Sequence, residues 1–182
     1  THTQSAFGAE FDSLSDMVSF GAAPSLVIYE WALKDLGRLG WIAAFIYCAS
    51  AALRLARFNT TLEVVDKRYF QGLPSPAAAA LVAGFVWVMI ASGLAGHEVR
   101  WLACGLTIFG GVTMVSNIRF YSFKDINLRK SVPFFVVAGI ALGFALISLS
   151  PEMALFGFFV VYGLSGYVMA AINLGRRKPP AG

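Results

Sequence analysis

Gly8, Asp12 and Asp16 stand four residues apart in the segment Gly8-Ala-Glu-Phe-Asp12-Ser-Leu-Ser-Asp16. On an α-helix, residues at i, i+4 and i+8 lie along one face, so this spacing predicts a stripe of two carboxylates beside a position with no Cβ. The two like charges repel, and near hydrocarbon each is costly to bury, so the stripe asks for a compensating cation. A divalent ion held by carboxylate oxygens and bridging to a ligand's phosphates would supply it, as Mg²⁺ does. Gly8 would let such a ligand approach the backbone closely. The simpler alternative is that Glu10, Asp12 and Asp16 are acids at a helix start, favoured by the macrodipole and facing water.

Other polar groups fall near the ends of apolar segments. Arg54 and Arg57 are three apart, which puts both on one face of a helix's last turn. They fit either as snorkelling anchors or as ligands for a phosphate or carboxylate. Asn59 fits a cap for that helix. Gly72-Leu-Pro-Ser75-Pro76 reads as a turn, a Ser75 N-cap and a proline at the first helical position, and the amides of such a helix start can hold an anion. Asn117 and Arg119 follow another apolar segment, where they are pocket residues or topology anchors.

The elements that must position these residues are apolar. Of the 182 residues, 58% are hydrophobic and 13% charged, against about 25% charged in soluble domains. No Asp, Glu, Lys or Arg occurs in 69–97, 101–118, 131–151 or 153–175, and each stretch is long enough to cross a bilayer. Two further spans are expected at 17–33, which contains Glu30, and at 39–58, which is apolar as far as Arg54. The expectation is an all-α, polytopic transmembrane helix bundle of six spans, forming one domain over 1–182 because the loops are too short for another.

Alternating the spans places Arg54, Arg57, Lys67, Arg68, Arg119, Lys124, Arg129, Lys130, Arg176, Arg177 and Lys178 on one side, and only Lys34, Arg38 and Arg100 on the other. Positive residues stay cytoplasmic in short loops. That puts the start of the first helix, the loops 59–73 and 119–131 and a tail at 176–182 in the cytoplasm. The net charge of +4 forms no aromatic-interleaved basic patch, which argues against nucleic acid. Cys48 and Cys104 lack metal-site spacing and read as small buried hydrophobes, and neither His2 nor His97 has a partner at ligand spacing.

Gly8-x3-Asp12-x3-Asp16 resembles the second half of the CDP-alcohol phosphatidyltransferase signature, whose first half is Asp-x2-Asp-Gly-x2-Ala-Arg, eight residues before the glycine. The first half is expected upstream of Thr1 in a longer parent, its arginine two positions before Thr1. Arg54-Leu-Ala-Arg57-Phe-Asn59, Gly72-Leu-Pro-Ser-Pro-Ala-Ala-Ala79 and Val115-Ser-Asn-Ile-Arg119-Phe-Tyr-Ser-Phe-Lys124 resemble the family's serine-using, bacterial-type members, so the likeness runs from residue 4 to about 124.

The resemblance implies transfer of a phosphatidyl group from CDP-diacylglycerol to the hydroxyl of L-serine, with release of CMP and dependence on Mg²⁺ or Mn²⁺. By the same resemblance Asp12 and Asp16 bind metal, Asp16 also takes the hydroxyl proton, and Gly8, Asp12 and Arg57 contact CDP-diacylglycerol. Arg54, Asn59, Ser75, Asn117 and Arg119 are the candidates for holding serine or phosphate. An inner-membrane homodimer with its site on the cytoplasmic side is implied too, with eight spans in the parent and no activity in these 182 residues alone. Two alternatives stay open: the same chemistry on glycerol 3-phosphate, inositol phosphate or choline, or a non-enzymatic transporter with an ion at Asp12 and Asp16.

Overall fold

In the computed structural model, which describes residues 6–61, 69–121, 139, 142–144 and 147–176, the acidic stripe opens a long helical run. Helix α1 (Ala6–Asp16) holds Gly8, Asp12 and Asp16 in α geometry, as their spacing predicts. Directly after Asp16 the run widens into π turns over Met17–Ala22, tightens as α2 (Ala23–Ile28), widens again over Tyr29–Leu33 and closes in a 3₁₀ turn at Lys34–Leu36. Pro24 has no N–H to offer the Phe20 carbonyl one turn back. The Tyr47 hydroxyl of the next helix donates to that oxygen at 3.1 Å. Gly37, at φ +57°, then turns the chain.

Among the described residues four long helices follow, α3 (Arg38–Thr61), α4 (Ser75–Ala91), α5 (Arg100–Val115) and α6 (Pro151–Arg176), and residues 142–144 and 147–149 are helical as well. Among the described residues, Arg38–Thr60 and Pro151–Ile172 are long and apolar enough to cross a bilayer, and Ser75–Ala91 and Arg100–Val115 are shorter apolar helices. The expected span at 17–33 is part of the interrupted run, and most of the one at 131–151 lies outside the described residues. Trp41, Phe45 and Leu53 on α3 and Phe158, Val161 and Val168 on α6 are exposed. Outward apolar faces of this kind are unfavourable in water and suit hydrocarbon.

The fold is all-helical as expected, with one short addition. β1 (Tyr69–Gln71) and β2 (Arg119–Tyr121) form an antiparallel ladder in which Tyr69 pairs with Tyr121, Phe70 with Phe120 and Gln71 with Arg119. Both strands fall where loops are expected. Three residues are too few for alternation to stand out, and the partners are far apart in the chain.

Small residues set the helix spacing. A Cβ on Gly111 of α5 would lie 3.1 Å from the Tyr47 Cα of α3, and one on Gly21 would lie 3.0 Å from the Ala51 Cβ. Close approach of this sort is how helices pack where burial alone gives no drive. Around these contacts Ile28, Leu33, Tyr47, Leu73, Phe85 and Met114 form a buried core. Phe120 joins them from β2, its ring filling the space beside Gly166 of α6 and lying 5.8 Å from the Tyr162 ring.

The ladder continues into α4 through a turn fastened to the end of α5. Gly72 N–H donates to the Ile118 carbonyl at 2.8 Å, and Leu73 N–H to the Thr113 carbonyl at 3.1 Å. Gly72 has φ +76°, and a Cβ there would sit 2.1 Å from the Met114 carbonyl oxygen. Gly72→Ala is therefore expected to destabilise the fold by about 1–3 kcal/mol from the left-handed backbone alone, with the clash added to it. Thermal unfolding in detergent checks this: an unchanged midpoint would mean the turn is not fastened as described.

Candidate active site

The last turns of α3, the start of α4, the end of α5 and the β1–β2 ladder meet at one end of the bundle, and α1 is tied to them there. Asn59 Nδ2 donates to Ser13 Oγ at 2.9 Å, on the turn between Asp12 and Asp16. Asn59 does not cap its helix, because α3 continues to Thr61. Its amide instead bridges two helices, and Ser13, which no motif marks except its place between the acids, is the partner. Asp12 and Gly8 are exposed and Asp16 is half-buried.

Arg54 lies deeper, on the turn of α3 before Arg57. One of its terminal nitrogens donates to Ser75 Oγ at 3.1 Å. The expectation that Ser75 is the N-cap of α4 is corrected here: Pro74 is the N-cap, no side chain caps the helix, and Pro76 keeps its place in the first turn. The Ser75 hydroxyl is buried and engaged by the arginine, which removes it from the capping geometry. Arg54 Nε is buried with no hydrogen-bond partner, a costly state for a charged donor. Asp16, Arg57 and the Tyr162 hydroxyl all lie within electrostatic reach of the Arg54 guanidinium. The acidic stripe of α1 and the basic pair of α3 thus share one neighbourhood.

Arg57 reaches the other wall. One terminal nitrogen donates to the Asn117 Oδ1 at 3.0 Å and to the Val115 carbonyl at 3.3 Å, and the other donates to the Gln71 Oε1 at 3.1 Å. Asn117 is therefore brought to Arg57 as a partner. Arg119 is placed in β2 opposite Gln71 by its backbone, while its side chain lies outside the described residues. Gln71 and Tyr162 were not singled out by sequence; Gln71 directly precedes the recognisable Gly72 turn, and Tyr162 is one aromatic among many in an apolar helix.

As metal ligands, Asp12 and Asp16 offer hard oxygens, which suit Mg²⁺ or Mn²⁺ rather than a thiophilic metal. Among the described residues no group of three or more His, Cys, Asp or Glu side chains converges. Mg²⁺ commonly uses one or two carboxylates and completes its shell with substrate phosphate and water, so a pair of aspartates on one stripe fits that mode.

Residues 1–112, from α1 to most of α5, match the family model described as CDP-alcohol phosphatidyltransferase. The chain belongs to that family. Among its phosphatidyltransferase relatives, a CDP-diacylglycerol–serine O-phosphatidyltransferase of Helicobacter pylori is 34% identical over 96% of this chain and 73% of its own length. A protein of the same name from Methanocaldococcus jannaschii is 34% identical over 92% of this chain and 74% of its own. One from Mycobacterium leprae is 29% identical over 87% of this chain and 54% of its own. The family match spans Asp12, Asp16, Arg54, Arg57 and Ser75, and the alignments with the first two relatives cover nearly the whole chain.

Proposed function

We propose that this phosphatidyltransferase moves the phosphatidyl group of CDP-diacylglycerol to the hydroxyl of L-serine, giving phosphatidylserine and CMP. Names of the relatives supply the substrates. The observation that carries the reading onto this chain is that Asp16 of α1 lies within electrostatic reach of Arg54, whose buried Nε lacks an acceptor. A phosphate or carboxylate oxygen of a bound substrate would satisfy that donor.

In the proposed reaction the serine hydroxyl oxygen bonds to the phosphorus of the phosphatidyl group while the bond from that phosphorus to the CMP oxygen breaks. The hydroxyl proton passes to the Asp16 carboxylate, and CMP departs with the bonding electron pair. Transfers of this type depend mainly on positioning and on opposing charge at the phosphoryl and leaving oxygens. Arg57 is assigned to the diphosphate, and Gly8 leaves room for the nucleotide against α1. Arg54, Asn59, Ser75, Asn117 and Arg119 form the polar wall assigned to serine. Asp12 and Asp16 would hold Mg²⁺ or Mn²⁺, which when bound neutralises charge on the phosphoryl oxygens.

The protein is read as integral to the cytoplasmic membrane, with this end of the bundle in the cytoplasm and a second copy completing a homodimer. The excess of Lys and Arg in the sequence at 54–68, 119–130 and 176–178 over the alternate loops supports that orientation. An acceptor screen on the intact protein in lipid, following CMP release from CDP-diacylglycerol, tests the chemistry. Serine is expected to support turnover at least about tenfold faster than glycerol 3-phosphate, inositol phosphate or choline. Faster turnover with one of those would reassign the acceptor.

A further inference from the structure

The β1–β2 ladder bears on chemistry through a residue no motif contains. We infer that Gln71, at the end of β1, is a positioning residue that works with Asn117 to hold the Arg57 guanidinium in its working orientation; this rests on the reading of Arg57 as a ligand of the lipid diphosphate. An arginine on the outermost turns of a helix ordinarily samples many rotamers and loses that freedom when it grips an anion. Arg57 does not sit in that condition. Its two terminal nitrogens give hydrogen bonds to three acceptors on three segments: Gln71 on β1, the Val115 carbonyl at the end of α5, and Asn117 just before β2.

The ladder explains why Gln71 can reach. Side chains alternate across a strand. With Phe120 buried against α6, Gln71 is one register step from the Phe70–Phe120 pair, and its Oε1 meets Arg57. The register is held in turn by Gly72, whose N–H is bonded to Ile118 and whose missing side chain admits the Met114 carbonyl. A planar guanidinium fixed at two nitrogens presents its charge in a set direction, as a phosphate ligand requires. An arginine serving only as a membrane anchor would need no such set of neutral acceptors.

The test is a double-mutant cycle on the intact protein in lipid, measuring kcat/KM for CDP-diacylglycerol with serine at saturation. Gln71→Ala is expected to lower kcat/KM about tenfold, the order of one hydrogen bond to a charged group. In an Arg57→Ala background the same change is expected to alter kcat/KM less than about twofold, because Gln71 then has nothing to orient. Equal losses in both backgrounds, or no loss in either, would overturn the assignment. If Gln71→Ala does not fold, Gln71→Met in the same cycle gives the same comparison, since it keeps the length of the side chain and removes only the acceptor that meets Arg57. Wild-type protein that releases no CMP with serine would count against the proposed reaction itself; a wild type that turns over normally while the cycle is additive counts only against the role of Gln71.

Discussion

Asp16→Asn in the intact protein is expected to lower serine-dependent CMP release about a thousandfold while leaving folding unchanged. Asparagine keeps the shape of the side chain, but with one oxygen replaced by an NH2 donor it neither accepts the hydroxyl proton nor balances a divalent cation. Loss of a positioned general base alone costs about 10²- to 10⁴-fold, and the missing ligand charge adds to it. The residue is half-buried at the C-terminal end of α1, and among the described residues α1 is fastened to α3 by Ser13 and Asn59 rather than by Asp16. Its melting behaviour in detergent should accordingly match wild type. Full activity in this variant would remove Asp16 from the reaction, whereas parallel loss of activity and folding would make it structural.

Arg54→Met is expected to separate activity from stability in opposite directions. Methionine fills much the same volume and removes a buried charge whose Nε has no partner, and replacing a poorly compensated buried charge by an apolar side chain is often neutral or stabilising. The cost is one contact with Ser75, on the order of 1 kcal/mol. Catalytic efficiency should nevertheless fall about a hundredfold, because removing the charged partner of a buried, hydrogen-bonded substrate anion costs about 2–5 kcal/mol. Arg54→Lys is not expected to restore it, since an ammonium cannot reproduce the planar fork of the guanidinium. Turnover and unfolding midpoint measured on the same preparations decide the matter: an active Arg54→Met protein would leave Arg54 with no part in binding substrate.

Much of the site was legible because its positions obey a local rule. The Gly8, Asp12, Asp16 stripe needs only helical periodicity, and α1 realises it. The apolar helices follow from composition, and the start of α4 follows from Pro76. What could not be read depends on partners distant in sequence. Ser75 has the chemistry of an N-cap, yet Arg54 competes for its hydroxyl from 21 residues away. Asn59 has the chemistry of a helix end, yet Ser13 claims its amide across 46 residues. The ladder is shorter than any pattern that alternation can reveal, and the π turns after Asp16 arise beside a proline whose lost hydrogen bond is answered by Tyr47. In each case a tertiary contact overrode, or supplied, what local preference left undecided.

Among the described side chains assigned to the reaction, Asp16, Arg54, Arg57, Asn59, Ser75 and Asn117 lie at a single end of the bundle, and the turn at Lys34–Leu36 with the start of α5 at Arg100 lies at the other. A catalyst built with that polarity would release its lipid into one monolayer only. Each turnover would expand that monolayer relative to its opposite, so balanced growth of the bilayer would need separate machinery that flips headgroups across.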